Sequence, residues 1–528
     1  MNLSKLSKTF RYFPKLLADN SLTKKASLNA LASVLDYAAN LIVAFAVTPF
    51  VVTGLGDYFY GVWQILTRLI GYITPASGRP TQALKYTLAK EQYSTDFELK
   101  RSYVGSTLSV FALFLPLISV LGGILTWFIP YWIKVPTQFI WSVRGASALL
   151  VINLVSDNLV SVPRSVLQGE NKGYKRMGLS TFLVFLGGGF TWMALFFKTG
   201  IIGLAGAALL ESIILGLFFL LVVRSYSPWF GVGKPSKDAV RSFLGLSWWF
   251  MAWNLVTSLM FASDVVVLGL LNSVESVTNY TLSKYAPETA ITVVAMMVFG
   301  ILPGLGGIIG KGDLERAAKL RGEIMSYTWL IVTVLGTGIL LWNRTFLGLW
   351  VGSKHFVGSF PDLLIVLVVM QLVFIRNDAN VIDLTLRLSR KVILGAISVA
   401  VSLLAAVILV YFLRMGIVGV CIGIMVGRLI LSVAYPNLIG KFLKINLSAQ
   451  LMAILRPGLV TTIFFLAATG LENILPTSGW RSLGGWVEFL LSAGLTACVV
   501  LVLAFRLGLS RDQQKIIFTR VQTILAVK

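Results

Sequence analysis

Charge is scarce in this chain of 528 residues: only 13% are Asp, Glu, Lys or Arg, where soluble domains carry roughly 25%. Acidic residues are the scarcer sign, 22 against 45 basic ones, so the formal net charge is +23. A single histidine leaves no material for a zinc site or a histidine relay. Two cysteines, Cys421 and Cys498, lie inside apolar runs and supply neither a disulfide framework nor a cysteine metal centre. No metal and no cofactor is expected. Apolar residues make up 56% of the chain and the mean hydropathy is +0.83, which excludes a soluble enzyme. In a soluble protein the basic excess would point to nucleic acid. Here the expected partners are anionic membrane lipids, and no nucleic acid.

Crossing a bilayer core takes about 20 apolar residues in a helix. Fourteen runs meet that requirement: 28–53, 58–76, 103–127, 144–163, 178–197, 201–223, 242–271, 278–308, 324–343, 360–384, 392–413, 416–436, 458–474 and 483–505. The fold class expected is all-α, a polytopic membrane protein of about 14 transmembrane helices. Residues 28–53 begin too far along the chain, after too long a polar lead, to be a cleaved signal peptide, and are expected to stay as the first span.

Basic residues in short loops stay cytoplasmic. Starting from a cytoplasmic N-terminus, 34 basic residues fall on the cytoplasmic side and seven on the other: Lys134, Arg144, Lys198, Arg344, Lys354, Arg414 and Arg481. Both termini are therefore expected in the cytoplasm, in a bacterial cytoplasmic (inner) membrane. External loops reach at most about 15 residues, around Ile129–Trp141 and Arg344–Ser359, too few for a catalytic domain. In the N-terminal segment 1–25, Leu3, Leu6, Phe10 and Phe13 alternate with Lys5, Lys8 and Arg11. After residue 506, Ile517, Val521, Ile524 and Leu525 share a helical face opposite Arg511 and Arg520. Both tails read as amphipathic helices on anionic headgroups, a frayed tail being the alternative for each. His355, beside Lys354 in an external loop, is expected to be solvated, and the 14 tryptophans to be interfacial anchors.

The chain repeats itself. Lys198-Thr-Gly-Ile-Ile-Gly203 matches Arg414-Met-Gly-Ile-Val-Gly419 at an offset of 216, and Lys175 matches Lys391. Asp96-Phe-Glu98 meets Asp313-Leu-Glu315 at 217, and Leu55-Gly56 meets Leu268-Gly269 at 213. The expected organisation is an N-lobe over 26–223, a cytoplasmic linker over 224–241, a C-lobe over 242–436, a cytoplasmic loop over 437–457, two added spans over 458–505 and a tail over 506–528. Six spans separate the copies, so the two six-helix lobes run parallel about a pseudo-two-fold axis along the membrane normal.

Four basic residues fall in no loop: Arg68, Lys284, Arg376 and Arg428. The offset of 216 pairs Arg68 with Lys284. Gln64, Arg68, Tyr72 and Pro75 recur at helical spacing in one lobe, and Tyr280, Lys284, Pro287 and Glu288 in the other, giving each a wet stripe toward a shared cavity. A cation inside a bilayer costs about 2.5–3.5 kcal/mol on insertion scales, so it faces a partner, a water-filled cavity or an anionic substrate. The competing readings are ion pairs: Lys284 with Glu288 one turn on, Arg376 with Asp378 or Asp383, and Arg428 with Glu211. Asp36, Asp157 and Asp264 lie inside spans and could carry protons or sodium, or could cap a kink or pair with a cation. Asp36, Asp264 and Glu288 are the candidates for ion coupling.

Several weak motifs stand in a persuasive order: Asn29-Ala-Leu-Ala-Ser-Val, Leu55-Gly-Asp-Tyr-Phe-Tyr-Gly-Val-Trp63, Ser263-Asp-Val-Val-Val-Leu-Gly269, Tyr280-Thr-Leu, Leu349-Trp-Val-Gly352 and two Gly-Ile-x-Gly turns. With twelve spans in two copies and two appended, the chain from about residue 26 to 505 resembles the multidrug/oligosaccharidyl-lipid/polysaccharide (MOP) exporter superfamily. Within it the chain is most similar to the polysaccharide transporters, the Wzx-type O-antigen and capsule flippases. The resemblance implies a flippase, not an enzyme, that moves an undecaprenyl-pyrophosphate-linked oligosaccharide from the inner to the outer leaflet by alternating access. Their depth in the spans and their place on the wet stripes make Arg68, Lys284, Arg376 and Arg428, with Gln64, Tyr72 and Tyr280, the expected substrate-binding residues. The resemblance adds a polysaccharide polymerase and other assembly proteins as partners. Lipid II flippases of the superfamily cluster arginines in the first two spans, where this chain has only Arg68. A drug/cation antiporter would want an anionic cavity, which four buried cations oppose.

Overall fold

The computed structural model describes residues 22–176, 178–384, 388–474 and 483–526. The amphipathic N-terminal segment, up to residue 21, and Arg481 lie outside the described residues. Among the described residues every regular element is helical, and the chain is a polytopic membrane protein. Among the described residues twelve helices are long and apolar enough to cross a membrane. The first of these, Val34–Ser77, covers most of the first expected span and all of the second. The chain divides into two compact units, Met1–Leu255 and Val256–Lys528.

The first unit opens with α1 (Leu22–Gly71), which is broken at Gly56, where φ is 74° and ψ 165°. That backbone region is essentially reserved for glycine, and a non-glycine residue there costs about 1–3 kcal/mol. A Cβ on Gly56 would meet nothing within 4 Å, so the constraint is purely conformational. Gly56→Ala is therefore expected to lower stability by about that amount. Gly123→Ala, also in open space but at an ordinary helical position, should lower it not at all; thermal unfolding of the two variants checks this. A 3-10 turn (Thr74–Ser77) and α2 (Pro80–Lys90) follow. Next come α3 (Phe97–Trp132), α4 (Ile140–Gly169), α5 (Leu179–Phe196) and α6 (Gly200–Tyr226). The expected linker is docked on α3: Arg101 Nε donates to the Trp229 carbonyl at 2.8 Å and Ser236 N to Ser106 Oγ at 3.0 Å. Gly105 permits that approach, since a Cβ there would lie 2.0 Å from the Gly233 oxygen.

Helix α7 (Lys237–Leu271) runs into the second unit. There α8 (Val274–Ser283) and α9 (Tyr285–Gly310) make up the expected span 278–308. They are followed by α10 (Leu314–Trp350), α11 (Ser359–Leu384), and α12 (Leu388–Val407), which ends in a π-helical turn at Ile408–Phe412. The unit closes with α13 (Gly416–Leu443), α14 (Leu447–Glu472), α15 (Leu483–Gly508) and α16 (Arg511–Ala526). Gly423 and Gly427 let α13 press against α12: a Cβ would sit 2.4 Å from Ala406 N and 2.1 Å from Ser402 Oγ. Small residues four apart are the usual means of close helix contact in lipid.

The repeat is visible in the backbone. Lys198 and Arg414 both adopt left-handed φ, 53° and 52°, and Gly200 and Gly416 follow at 63° and 52°. Asp96 caps α3 by accepting from Leu99 N at 2.9 Å, and Asp313 caps α10 by accepting from Arg316 N at 3.1 Å. The copies diverge after their paired cations. Beyond Arg68 the helix gives way to the 3-10 turn, whereas beyond Lys284 α9 continues for 26 residues.

Candidate functional site

The second unit holds the densest set of expected site residues, and its geometry starts with a proline. Pro287 lacks an N–H, so the Ser283 carbonyl loses its helical partner; Asn343 Nδ2 donates to it instead, at 3.0 Å. Lys284 stands at this junction of α8 and α9, buried. Its ammonium bonds Asp264, and Glu288 Oε1 at 2.8 Å. Tyr280 donates its hydroxyl to Asp264 Oδ2 at 2.7 Å. Lys284, Tyr280, Asp264 and Glu288 thus form one cluster, two carboxylates around one ammonium. Asp264 and Lys284 are nearly inaccessible, while the Glu288 side chain is 38% exposed and opens the cluster on one side. The expected pairing of Lys284 with Glu288 is present. Asp264 joins from another helix, 20 residues away, where spacing along the sequence carries no signal.

On α11 the carboxylates that could have neutralised Arg376 are taken. Asp378 accepts from Arg321 Nη2 at 2.8 Å and Nε at 3.2 Å, and Arg321 Nη1 donates to Gln450 Oε1 at 2.9 Å. Asp383 accepts from the buried Lys391 at 2.7 Å. Arg376 is half-buried, its guanidinium 5.4 Å from the Phe261 ring centre, and among the described residues it has no acidic partner. Arg428 is buried and spends its donors on main-chain oxygens, Met260 at 2.5 Å and Val368 at 3.1 Å. It straps α13 to α7 and α11.

His355 corrects an expectation. Far from solvated, it is 1% exposed: Nδ1 is 3.1 Å from Asn279 Oδ1, and its carbonyl accepts from Ser283 Oγ at 3.1 Å. The loop that carries it folds back onto α8 and buries the ring.

In the first unit Gln64, Arg68 and Tyr72 are half-buried. Asp36 accepts from Ser180 Oγ at 2.6 Å and Thr181 Oγ1 at 3.3 Å, and Asp157 from Ser212 Oγ at 2.6 Å. Glu211 lies against Gly187, whose Cβ would fall 2.2 Å from the carboxyl carbon. Beyond the end of α4, Glu170 accepts from Lys100 at 3.1 Å, Lys172 at 2.6 Å, Ser227 at 2.9 Å and Trp229 Nε1 at 2.7 Å. Burial alone would raise this carboxyl, but the hydrogen bonds from Lys172 and Lys100 outweigh it and hold Glu170 below the usual range. A depressed carboxyl contributes stability above its unfolded value and loses it as pH falls through the folded one. Melting of the wild type should therefore fall on acidification, and Glu170→Gln should weaken that dependence while lowering the neutral-pH melting point.

A cavity of about 590 Å³ lies within the second unit among α10, α11, α13, α14 and α16. Its wall is mainly apolar, with Trp329, Phe374 and Ile454, and its polar end is the Arg321–Asp378–Gln450 group. The size suits a small molecule or part of a lipid. Helix α16 closes one side: Gln513 Nε2 donates to Ser326 Oγ at 2.9 Å, and Ile517 packs with Leu330, Ala504 and Leu509.

With this geometry in hand, solved structures match the chain. An inward-facing multidrug resistance MATE family transporter of the MOP superfamily is 15% identical, with a TM-score of 0.61 over 79% of this chain and 98% of that one. The lipid II flippase MurJ in an inward closed conformation is 13% identical, with a TM-score of 0.63 over 90% and 99%. A MOP superfamily transporter from Pyrococcus furiosus Vc1, described by the reverse polarity of its binding pocket, is 14% identical, with a TM-score of 0.53 over 80% and 96%. The chain has their fold. No family model and no curated sequence matches it. At such identities the likeness concerns architecture, and the residues that would recognise a substrate must be read from this chain.

Proposed function

We propose that the protein is a flippase that carries an undecaprenyl-pyrophosphate-linked oligosaccharide from the inner to the outer leaflet by alternating access, for O-antigen, capsule or exopolysaccharide synthesis. The observation that carries the reading is Arg376: a guanidinium inside a span, with its neighbouring carboxylates committed elsewhere. Such a group is stabilised by an anionic ligand, and its planar fork suits a phosphate. In the second unit Lys284 and Tyr280 would bind substrate as well, with Arg428 holding the helices that present Arg376; in the first unit Arg68, Gln64 and Tyr72 are the substrate-binding candidates. Asp264 and Glu288 suit a coupling role, because Lys284 can release a carboxylate when an anion approaches. Asp36 is the corresponding candidate in the first unit.

A second reading is favoured by the longer match to MurJ, which spans 90% of this chain: the substrate would then be lipid II. A drug/cation antiporter remains the third, opposed by Arg376. The test is reconstitution of the full chain in liposomes with fluorescent undecaprenyl-pyrophosphate oligosaccharide, lipid II and a cationic dye assayed in parallel. Accelerated flipping of the oligosaccharide lipid, inhibited by inorganic pyrophosphate, is expected. Exclusive movement of lipid II would establish the second reading, and movement of the dye alone the third.

A further inference from the structure

The basic residues that counting by side assigns to external loops include Arg144, and the structure moves it out of the loop. It stands in the second turn of α4 and is only 7% exposed. Its guanidinium carbon lies 3.8 Å from the ring centre of Trp127, 5.0 Å from that of Trp141 and 5.5 Å from that of Tyr131. Nη2 donates to the Trp127 carbonyl at 3.4 Å and to the Tyr131 hydroxyl at 3.2 Å. The Thr126 and Ser147 hydroxyls, bonded at 3.0 Å, fix α3 against α4 beside this cage. Nε is enclosed without an acceptor. Nη1 also has no partner among the described residues, but it is not enclosed and forms the open edge of the group.

No carboxylate offsets this charge. Between Glu98 and Asp157 the chain has no Asp or Glu, so α3 beyond its first turn, the α3–α4 turn and the first half of α4 cannot supply one. The break of α1 and the start of α6 adjoin the cage, with the Phe59 and Phe139 rings 4.8 Å apart and Ile202 against Gly145. They bring Asp57 and Lys198, and neither bonds Arg144 among the described residues. Ring faces ease the burial of a cation, but they carry no net charge and leave one positive charge to be met. The surroundings indicate what meets it. Trp127, Phe128, Tyr131, Trp132 and Trp141 are 43–73% exposed around the guanidinium. Helices α3 and α4 are each long and apolar enough to cross a membrane, so the turn between them lies at a membrane face, where Trp and Tyr gather at headgroup depth. A soluble anion has no use for that apolar rim, whereas the chains of a lipid cover it. A phosphodiester sets one negative charge against the one unmatched cation, and its oxygens suit guanidinium hydrogens. We propose that Arg144, caged by Trp127, Tyr131 and Trp141, binds the phosphodiester headgroup of an anionic membrane lipid at the α3–α4 end of the first unit. The inference does not depend on the substrate proposed above.

The experiment uses the full chain in neutral detergent, stripped of lipid and titrated with phosphatidylglycerol or with phosphatidylcholine of the same acyl chains. It reads retained lipid by native mass spectrometry, beside the melting temperature. Other cations of the chain also attract anionic lipid, so the readout is the difference between wild type and variant. The wild type is expected to hold one more phosphatidylglycerol than Arg144→Gln, the affinity for that lipid falling at least about tenfold in the variant, as for a lost hydrogen bond to a charged group. Arg144→Lys, which keeps the charge and loses the fork, should fall between them. Trp141→Ala opens one wall of the cage at a residue 73% exposed. It should melt like the wild type while binding weakens about two- to fivefold. Phosphatidylglycerol held equally by the wild type and Arg144→Gln would overturn the proposal, as would equal retention by the wild type and Trp141→Ala should Arg144→Gln fail to fold. An equal gain with phosphatidylcholine would overturn it by showing that acyl contact suffices. Displacement of the extra lipid by inorganic phosphate at the same concentration would overturn it too, since the site would then serve a free anion.

Discussion

Arg376→Ala should reduce flipping of the oligosaccharide lipid about ten- to a hundredfold, the range set by about 1.5–3 kcal/mol for hydrogen bonds to a charged group. Its folding should be nearly untouched. The second expectation follows from the local chemistry: Arg376 contacts the Phe261 face and no carboxylate among the described residues, so removing it strands no buried counter-ion. Taking a cation out of a span can even stabilise the fold. Arg376→Lys keeps the charge but loses the two-pronged donor geometry, and intermediate activity is expected. The measurement pairs initial flipping rates in proteoliposomes with melting temperatures of the same preparations. Wild-type transport by Arg376→Ala would remove the observation on which the proposed function stands. A collapse in melting temperature would instead place Arg376 among the structural cations.

Those structural cations mark how far the sequence could be read. Apolar runs located the spans, because a bilayer imposes a length that sequence displays directly. The repeat surfaced for the same reason: Asp96 and Asp313, or Gly200 and Gly416, hold the same local conformations, and local conformation is written in neighbouring residues. Depth inside a span also singled out Arg68, Lys284, Arg376 and Arg428 as unusual. What spacing could not say was which carboxylate each cation would find. Arg321, assigned to a cytoplasmic loop by the same counting, takes Asp378 from across the bundle, and Lys391 takes Asp383. Among the described residues Arg428 finds no side-chain hydrogen-bond partner and settles on carbonyls of α7 and α11. Such pairings span 57 residues for Arg321 and 168 for Arg428, and no periodic pattern encodes them. His355 was misjudged for a related reason. A polar residue next to a lysine looks solvated until the loop that carries it folds onto Asn279 and Ser283.

Lys284 separates a structural role from a functional one, because its removal should act on both. Lys284→Ala takes the ammonium away from Asp264, which is buried at 4% exposure and also accepts from the Tyr280 hydroxyl. Breaking a buried pair by deleting one partner costs about 3–5 kcal/mol, so this variant should be poorly folded or low-melting. Lost transport in it would therefore say little. The informative variant is Lys284→Met with Asp264→Asn, which removes both charges, keeps side-chain volume and leaves Tyr280 a neutral acceptor. Replacing both members of a buried pair by neutral groups is often close to harmless, so the double variant should melt within a few degrees of the wild type. If Lys284 and Asp264 serve only to hold α8 against α7, flipping returns with stability. If they exchange partners when the anionic headgroup arrives, with the half-exposed Glu288 as the side that opens, the double variant should fold and still fail to transport. The second outcome is expected, because a purely structural pair gains nothing from a second carboxylate that faces water. Full transport in a well-folded double variant would confine Lys284 to the scaffold and leave Arg376 as the anion site of this unit.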